Sequence, residues 1–585
     1  MNKSVLVRSG LWRGYRGGLL LIAAIALALR MYGMRYGLPA VYNPDEVAIM
    51  SRALAFAKGD LNPHNFLYPS FYFYALFAWE GLTALVAVAM GAMESVGAFQ
   101  REFFLDPTRV FVAGRLLTAL IGAATATATA VLTARISGRA VGLIAGLLLA
   151  VAPLHVLNSH YVKHDVPVTL LVILAYLAYE RLWTLPRKKD LPPEGGSYRS
   201  LLVAAALTGI AFSTHYYAIF LAIPLAWSAA RGAATGAEAI KRVAIAAIVS
   251  AVVFFALSPF ILIEPATAIR DVLANRQIVV DRAVENLGYV RSAARYGKLL
   301  LLDTVGAPCA VLAAIGIVIG VRRDPIRTAW LLSFAAPFLL FIAGTFPASR
   351  YLVPVVPFMA LFAGQAIAEF GSIRVGPTLL APILLTTCVV PAALESCEAD
   401  RFITQTDTRT LALRFITTHV PSGATILTQP YSVPMESTAG VLREAVERSG
   451  KEMPTKTRLQ IERTPYPSPA YRIIYLGYGL DADKLYLPID QLGGADPLQR
   501  LRREHVAFVV LKRYNGRDPA TLPFLAALAR EGRRIAVFSP YRNAAEPGNG
   551  PRAEPFLHNT DVRIVAALER PGPTVEIWQI DGPGS

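Results

Sequence analysis

Asn43-Pro44-Asp45-Glu46 follows the first long apolar run of the chain, about Gly18 to Gly37. Two adjacent carboxylates therefore stand where an apolar helix meets water. A second acidic spot, Lys163-His164-Asp165, follows a later apolar run. Ionisable groups at the mouths of membrane helices are costly to desolvate, so they read first as a working site. Pro44 disfavours helix at Asn43, and the chain is expected to turn there. A carboxylate beside an apolar surface can take a proton from a hydroxyl or amine. Asp45 could equally cap a helix that opens Glu46-Val47-Ala48-Ile49.

Working outward, the composition is that of a polytopic α-helical membrane protein. Hydrophobic residues make up 54% and charged residues 17% of the chain, against about 25% charged in a soluble globular chain. Mean hydropathy is +0.44. The first apolar run follows Lys3, Arg8, Arg13 and Arg16, as in a signal peptide. The run is long, contains Arg30 and lacks a small-x-small cleavage site, so it reads as a retained helix. The formal charge of +16 does not make nucleic acid a partner, because the excess lies in short loops where positive charge sets topology. Cys309, Cys388 and Cys397 are too few for a disulfide framework, and no CxxC pair points to zinc or redox work.

Membrane segments are expected at roughly 18–37, 71–93, 110–134, 140–158, 166–184, 200–214, 216–230, 243–262, 299–320, 327–346, 351–369 and 376–395. The basic loops Arg187-Lys188-Lys189, Arg231 with Lys241 and Arg242, and Arg322-Arg323 with Arg327 should be cytoplasmic. All fall inside if the 71–93 stretch lies in, or dips into, the outer leaflet. Its opening, Tyr68-Pro69-Ser70-Phe71-Tyr72-Phe73-Tyr74, is an interfacial aromatic belt. The expectation is about eleven crossings plus one juxtamembrane or re-entrant helix. Asp45-Glu46, His160 to Asp165, His215, Glu264, Arg350 and the C-terminal tail then share the outer side.

After about residue 395 the apolar runs shorten to strand length: Ala424 to Leu427, Tyr471 to Leu476, Val506 to Leu511, Arg534 to Phe538 and Val575 to Ile580. Asp407 to His419 has helical spacing with Asp407 as a cap. Residues 1–395 read as the membrane domain and 396–585 as a small extracytoplasmic α/β domain. Gly477 to Gly494 shows no phosphate loop, so acceptor recognition or structural cover is this domain's expected role.

Asp165 either caps the next apolar run, with Pro167 in its first turn, or works with the imidazoles of His160 and His164 and the ammonium of Lys163. Arg350 at a helix start can hold a phosphate through paired hydrogen bonds, with Tyr351 beside it. Arg115 lies one turn inside its helix and needs a partner, for which Asp45 or a lipid phosphate would serve. His64 could join Glu46 or His160 at a metal, but no HxxxH-type spacing supports it, and a divalent metal is left open.

These residues, in this order, resemble the dolichyl-phosphate-mannose protein mannosyltransferase-like superfamily of GT-C glycosyltransferases. The resemblance is nearest to the branch holding lipid A aminoarabinose transferases and RgtA/B/C/D-like transferases. Its marks are Asn43-Pro44-Asp45-Glu46, Tyr68-Pro69, Arg115 within Ala113 to Leu120, Ser159-His160-Tyr161 through Asp165, and Arg350 to Pro357, over roughly residues 15 to 370. It implies an inverting transfer of sugar from a polyprenyl-phosphate donor to a lipid, glycan or protein acceptor, at the outer face of the cytoplasmic membrane. It further implies Asp45 as general base, Glu46 and Asp165 as acidic partners, and Lys163, Arg350, Arg115, Tyr351, His160 and Tyr68 around the donor phosphate and lipid. Leu67-Tyr68-Pro69-Ser70 stands where some members carry Lys-Pro-Pro or His-Pro-Pro. A transporter or flippase of lipid-linked sugar is the competing reading. It would be marked by internal repeats and by broken helices at the midplane, whereas the polar groups here gather at helix mouths.

Overall fold

A computed structural model of the chain describes residues 3–184, 195–231, 233–281, 288–372, 379–492, 496–513, 522–542 and 567–580. The expected basic loop Arg187-Lys188-Lys189 lies outside the described residues. The apolar runs form helices: α1 (Lys3–Met31), α2 (Pro44–Ala55), α3 (Phe71–Ala89), α4 (Val96–Leu105), α5 (Thr108–Ser137), α6 (Arg139–Ala150), α7 (Pro153–Asn158) and α8 (Asp165–Thr184). There follow α9 (Gly195–Phe212), α10 (Ala222–Arg231), α11 (Gly236–Leu257), α12 (Phe260–Ile263), α13 (Pro265–Asp281) and α14 (Gly288–Leu302). The membrane part closes with α15 (Ala307–Arg323), α16 (Pro325–Ile342), α17 (Val356–Ser372) and α18 (Leu380–Ile403).

Among the described residues, eight helices are long and apolar enough to cross a membrane, or nine if α14 and α15, bent by 106°, make one span. This is fewer than the eleven crossings expected, because several apolar runs are broken. The 140–158 run splits into α6 and α7 at Pro153, which cannot continue a helix and holds Ala152 in an extended conformation (φ −63°, ψ 117°). The 216–230 run opens with a 3-10 turn over Tyr216–Leu221. α3 has the length and hydropathy of a crossing like its neighbours, so its juxtamembrane placement rests on loop charge and the Tyr68–Tyr74 aromatic belt.

The α6/α7 break frees carbonyls that a buried side chain must satisfy. Arg30 of α1, fully buried, donates to Ala150 O at 2.9 Å and Leu149 O at 3.3 Å. It also reaches Ser159 Oγ at 3.2 Å and His155 Nδ1 at 3.0 Å. Its guanidinium therefore stitches α1 to the broken helix and carries the chain to the 159–165 turn. Small residues let the neighbouring helices close up: a Cβ at Gly142 of α6 would collide with the Ala130 carbonyl of α5.

The last long helix, α18, passes through 395 to Ile403 and leads into α19 (Thr408–His419). Asp407 is its N-cap, accepting from Arg409 N at 2.8 Å, as the spacing predicts. The strands are β1 (Thr425–Thr428), β2 (Arg472–Leu476), β3 (Leu485–Leu487), β4 (Phe508–Arg513), β5 (Gly532–Phe538) and β6 (Thr574–Ile580). They form one sheet in the order β3-β2-β1-β4-β6-β5. β3, β2, β1 and β4 run parallel, while β6 pairs antiparallel with both β4 and β5. The five expected strands are present; β3, three residues inside the glycine-bearing 477–494 stretch, is too short to show as an apolar run. α20 (Ala439–Ser449), α21 (Thr455–Ile461), α22 (Gln499–Arg503) and α23 (Leu522–Glu531) lie between the strands.

Arg30→Leu should leave the Ala150 carbonyl without the Arg30 donor and lower stability by about 1.5–3 kcal/mol, read as a drop in the thermal midpoint of the purified protein.

Candidate active site

α2 begins with Asn43, whose extended backbone (φ −89°, ψ 110°) and side-chain oxygen cap the helix by accepting from Asp45 N at 3.1 Å. Pro44 occupies the first turn, where its missing N–H costs nothing. The cap is thus Asn43, and Asp45 is left free of that duty. Successive helical residues point about 100° apart, so Asp45 and Glu46 face different surroundings.

Glu46 faces inward. It is fully buried and accepts from Arg115 Nε at 3.0 Å and Nη2 at 2.8 Å. Val162 N donates to the same carboxylate at 3.0 Å. Arg115, equally buried, gives its third nitrogen to Met34 O at 2.7 Å and Tyr36 O at 2.9 Å. Tyr36 also lies against the guanidinium, 4.5 Å from ring centroid to Cζ. The expected partners of Arg115, Asp45 or a lipid phosphate, are therefore replaced by Glu46. With four donors committed and no exposure, Arg115 is removed from the phosphate set and Glu46 from the acid–base set; the pair is a strut.

Asp45 is partly exposed. Arg350 Nη1 donates to its Oδ2 at 2.6 Å. Lys163 Nζ stands 3.0 Å from the same oxygen, an ion pair off the line of a good hydrogen bond. Asp45 is 32% exposed, Lys163 3% and Arg350 16%, so the carboxylate is the most accessible member of the cluster. Asp165, buried at the first turn of α8, shares the field of Arg350, Lys163 and Asp45. The sequence-predicted set Asp45, Lys163, Asp165 and Arg350 is brought together from α2, the α7–α8 turn, α8 and the 3-10 turn over Ser349–Val355. Burial would push the Asp45 carboxyl up, but Lys163 and Arg350 hold it well below the usual carboxylate range. Burial pulls the Lys163 ammonium down, against the attraction of Asp45.

Other expected residues divide. Tyr351 lies next to Arg350, whose Cζ is 5.2 Å from its ring centroid. Tyr68 is stacked on His164, centroids 4.3 Å apart, within the electrostatic reach of Arg350 and Asp45. His160 is displaced from the donor set: it is fully buried, with Nε2 on Tyr32 O at 2.8 Å and Nδ1 on Val156 O at 3.0 Å. His64 joins neither Glu46 nor His160; it is exposed and pairs with Asp60 at 2.7 Å. Glu264 accepts from Asn62 Nδ2 at 2.5 Å. Among the described residues, no three His, Cys, Asp or Glu side chains converge to hold a metal.

Two further residues complete the surroundings, and of these only Tyr42 escaped the sequence reading. His164, inside the quoted motif, is enclosed by Tyr68, Tyr72 and Phe73, and both its ring nitrogens are buried without a partner. Tyr42, beside the Asn43 cap, reaches the C-terminal domain, donating to or accepting from Thr410 Oγ1 at 2.6 Å.

The chemistry available is a carboxylate at an apolar mouth, flanked by two cations fit for a phosphate. Because Asp45 is held low, its ionised form persists in acid: the stability it contributes is full above about pH 4 and is lost only as pH falls through the lowered folded value. kcat/KM should therefore stay flat from about pH 8 down to about pH 5 on account of this group. Lys163 titrates in the opposite sense. Its lowered value brings loss of the cation below the ordinary lysine range of about 10.4, and Lys163→Arg should move that alkaline limb upward. Glu46→Gln should leave Arg115 uncompensated and cost about 3–5 kcal/mol of stability, seen in thermal unfolding; an unchanged midpoint would contradict the strut.

Comparison with known proteins adds a partial family match and a fold. Residues 108–263 match the family model described as dolichyl-phosphate-mannose-protein mannosyltransferase. No curated protein matches the chain in sequence at a significant level. In fold, the chain is similar to the apo oligosaccharyltransferase of Archaeoglobus fulgidus, with 11% identity and a TM-score of 0.50, over 85% of this chain and 69% of that one. It also aligns with ArnT of Cupriavidus metallidurans bound to undecaprenyl phosphate, at 14% identity and a TM-score of 0.49, over 96% and 98% of the two chains. The Pmt1-Pmt2 protein O-mannosyltransferase complex of S. cerevisiae with its sugar donor aligns over 44% of this chain and 34% of that one, at 17% identity and a TM-score of 0.33. The matched segment opens with α5, which carries Arg115, and includes Lys163 and Asp165. The helical membrane part and C-terminal sheet thus share the fold of a membrane oligosaccharyltransferase, and residues 108–263 resemble the dolichyl-phosphate-mannose-protein mannosyltransferases.

Proposed function

We propose that the chain moves a sugar, with inversion, from a polyprenyl-phosphate donor to a lipid, glycan or protein acceptor at the outer face of the cytoplasmic membrane. The observation that carries this reading is the single Asp45 oxygen shared by Arg350 and Lys163 at 2.6 and 3.0 Å. A donor phosphate entering the mouth competes for both cations. As it takes them, Asp45 loses the charges that depress its basicity, and the carboxylate becomes able to accept a proton. The base is thereby armed by the substrate it must act beside.

The step balances simply. The acceptor oxygen forms a bond to the anomeric carbon, its proton passes to Asp45, and the bond from that carbon to the phosphate oxygen breaks. Charge grows on the departing phosphate, where Arg350 and Lys163 are already oriented, so little reorganisation is needed. Asp165, buried within the field of the two cations, adds a second negative charge to the cluster. A lipid-borne donor also accounts for a site at the ends of membrane helices. The clustering of Asp45, Lys163, Arg350 and Tyr42 at the end nearest the C-terminal domain supports a common side for the site and that domain. The loop charges support an outer placement of that side.

Asp45→Asn should abolish transfer, by about 100-fold or more, while expression and membrane insertion hold; normal transfer would remove Asp45 from the role of base. For topology, a single cysteine at position 187 should resist an impermeant thiol reagent applied to intact cells. Labelling there would overturn the outside placement.

A further inference from the structure

We propose that the C-terminal domain sets the position of the catalytic carboxylate, through a latch between Tyr42 and the start of α19; this rests on the reading of Asp45 as the base. Tyr42 precedes the Asn43 cap and stands three residues from Asp45. It is 8% exposed and makes its polar contact with the C-terminal domain, Thr410 Oγ1 at 2.6 Å. Arg409 covers the face of its ring, with Cζ 3.8 Å from the centroid, a close cation–π contact.

The latch is rooted in the sheet. Arg409 is 2% exposed and its guanidinium forks onto Asp407 at 2.9 and 2.7 Å. Thr408 donates its backbone N–H to Pro571 O at 3.0 Å and its hydroxyl to Pro573 O at 2.6 Å. Those prolines lead directly into β6, which pairs with both β4 and β5. Any displacement of the sheet is therefore passed to Arg409 and on to the Tyr42 ring.

The loop itself shows that something holds it. Val41, β-branched and buried, is kept at φ +47°, a conformation such a residue adopts only when its surroundings impose it. On one side of Val41 the backbone is gripped by Arg115 at Met34 and Tyr36. On the other it is gripped by Tyr42 on the C-terminal domain. Gly33, also at positive φ, packs against Thr404 at the end of α18. The segment that ends in Asn43-Pro44-Asp45 is thus stretched between the two domains. Tyr42 is a positioning residue: it does not touch the reacting atoms, and it acts through the cap that orients Asp45.

The test uses the full chain with Tyr42→Ala, Tyr42→Phe and Arg409→Lys. Three quantities are read: hydrogen exchange of residues 37–46, affinity for polyprenyl phosphate, and kcat with radiolabelled polyprenyl-phosphate sugar. For Tyr42→Ala the expected result is faster exchange over 37–46 and a kcat lower by about tenfold or more, since small misplacements of a catalytic group are costly. Affinity for polyprenyl phosphate, held by Lys163 and Arg350, should stay within about twofold. Tyr42→Phe keeps the ring over Arg409 and should retain kcat within about threefold, and Arg409→Lys, which loses the planar fork, should fall between. The latch is contradicted if Tyr42→Ala keeps wild-type exchange and kcat. It is equally contradicted if kcat and polyprenyl-phosphate binding fall in proportion, the mark of simple unfolding. Should Asp45→Asn prove active, the base assignment fails, and the exchange of 37–46 still decides whether the domain holds the loop.

Discussion

Glu46 and Arg115 form the constraint on which the site depends. Both are wholly buried, and burying two charges is expensive unless every lone pair and proton is met. Here they are met by the bidentate fork, by Val162 N and by the carbonyls of Met34 and Tyr36. This one ion pair therefore fixes α2, α5, the turn after α1 and, through Val162 N on Glu46, the chain before Lys163. Committing Glu46 inward also fixes the rotation of α2. Its neighbour Asp45 is then turned toward Lys163 and Arg350 and has no other helix to face.

The second organising feature is the broken membrane helix. Pro153 ends α6, Arg30 satisfies the carbonyls that the break exposes, and the short α7 carries the chain to Lys163 and Asp165. The break creates the turn from which one of the two cations projects. Above it, the C-terminal sheet reaches back through Arg409 to the ring of Tyr42. The α7–α8 turn and the 3-10 turn over Ser349–Val355 supply the cations, α2 supplies the carboxylate, and the sheet braces the loop that leads into α2.

Much of this was legible in the sequence. Apolar runs located the helices, alternating short runs located five strands, and Asp407 was readable as a cap because it precedes a helical period. Asp45, Lys163, Asp165 and Arg350 stood out as ionisable residues at helix mouths and do meet. Partner choice was not legible. Arg115 could reach either of two adjacent carboxylates, and only the rotation of α2 decides for Glu46. His160 looked like part of a polar cluster, yet carbonyls of Tyr32 and Val156 claim it. The break at Pro153 was written in the chain but was outweighed by the apolar run around it. Tyr42 carried no signal at all, because its partners lie 368 residues away.

The most direct test of the central claim is a transfer assay on the purified protein, with radiolabelled polyprenyl-phosphate sugars and a membrane extract as acceptor. The account predicts that label leaves the prenyl phosphate and appears on a lipid, glycan or protein of the extract. Donors that bind and protect the protein thermally but never give up their label would contradict it, and would make the shared oxygen of Asp45 part of a binding or flipping site.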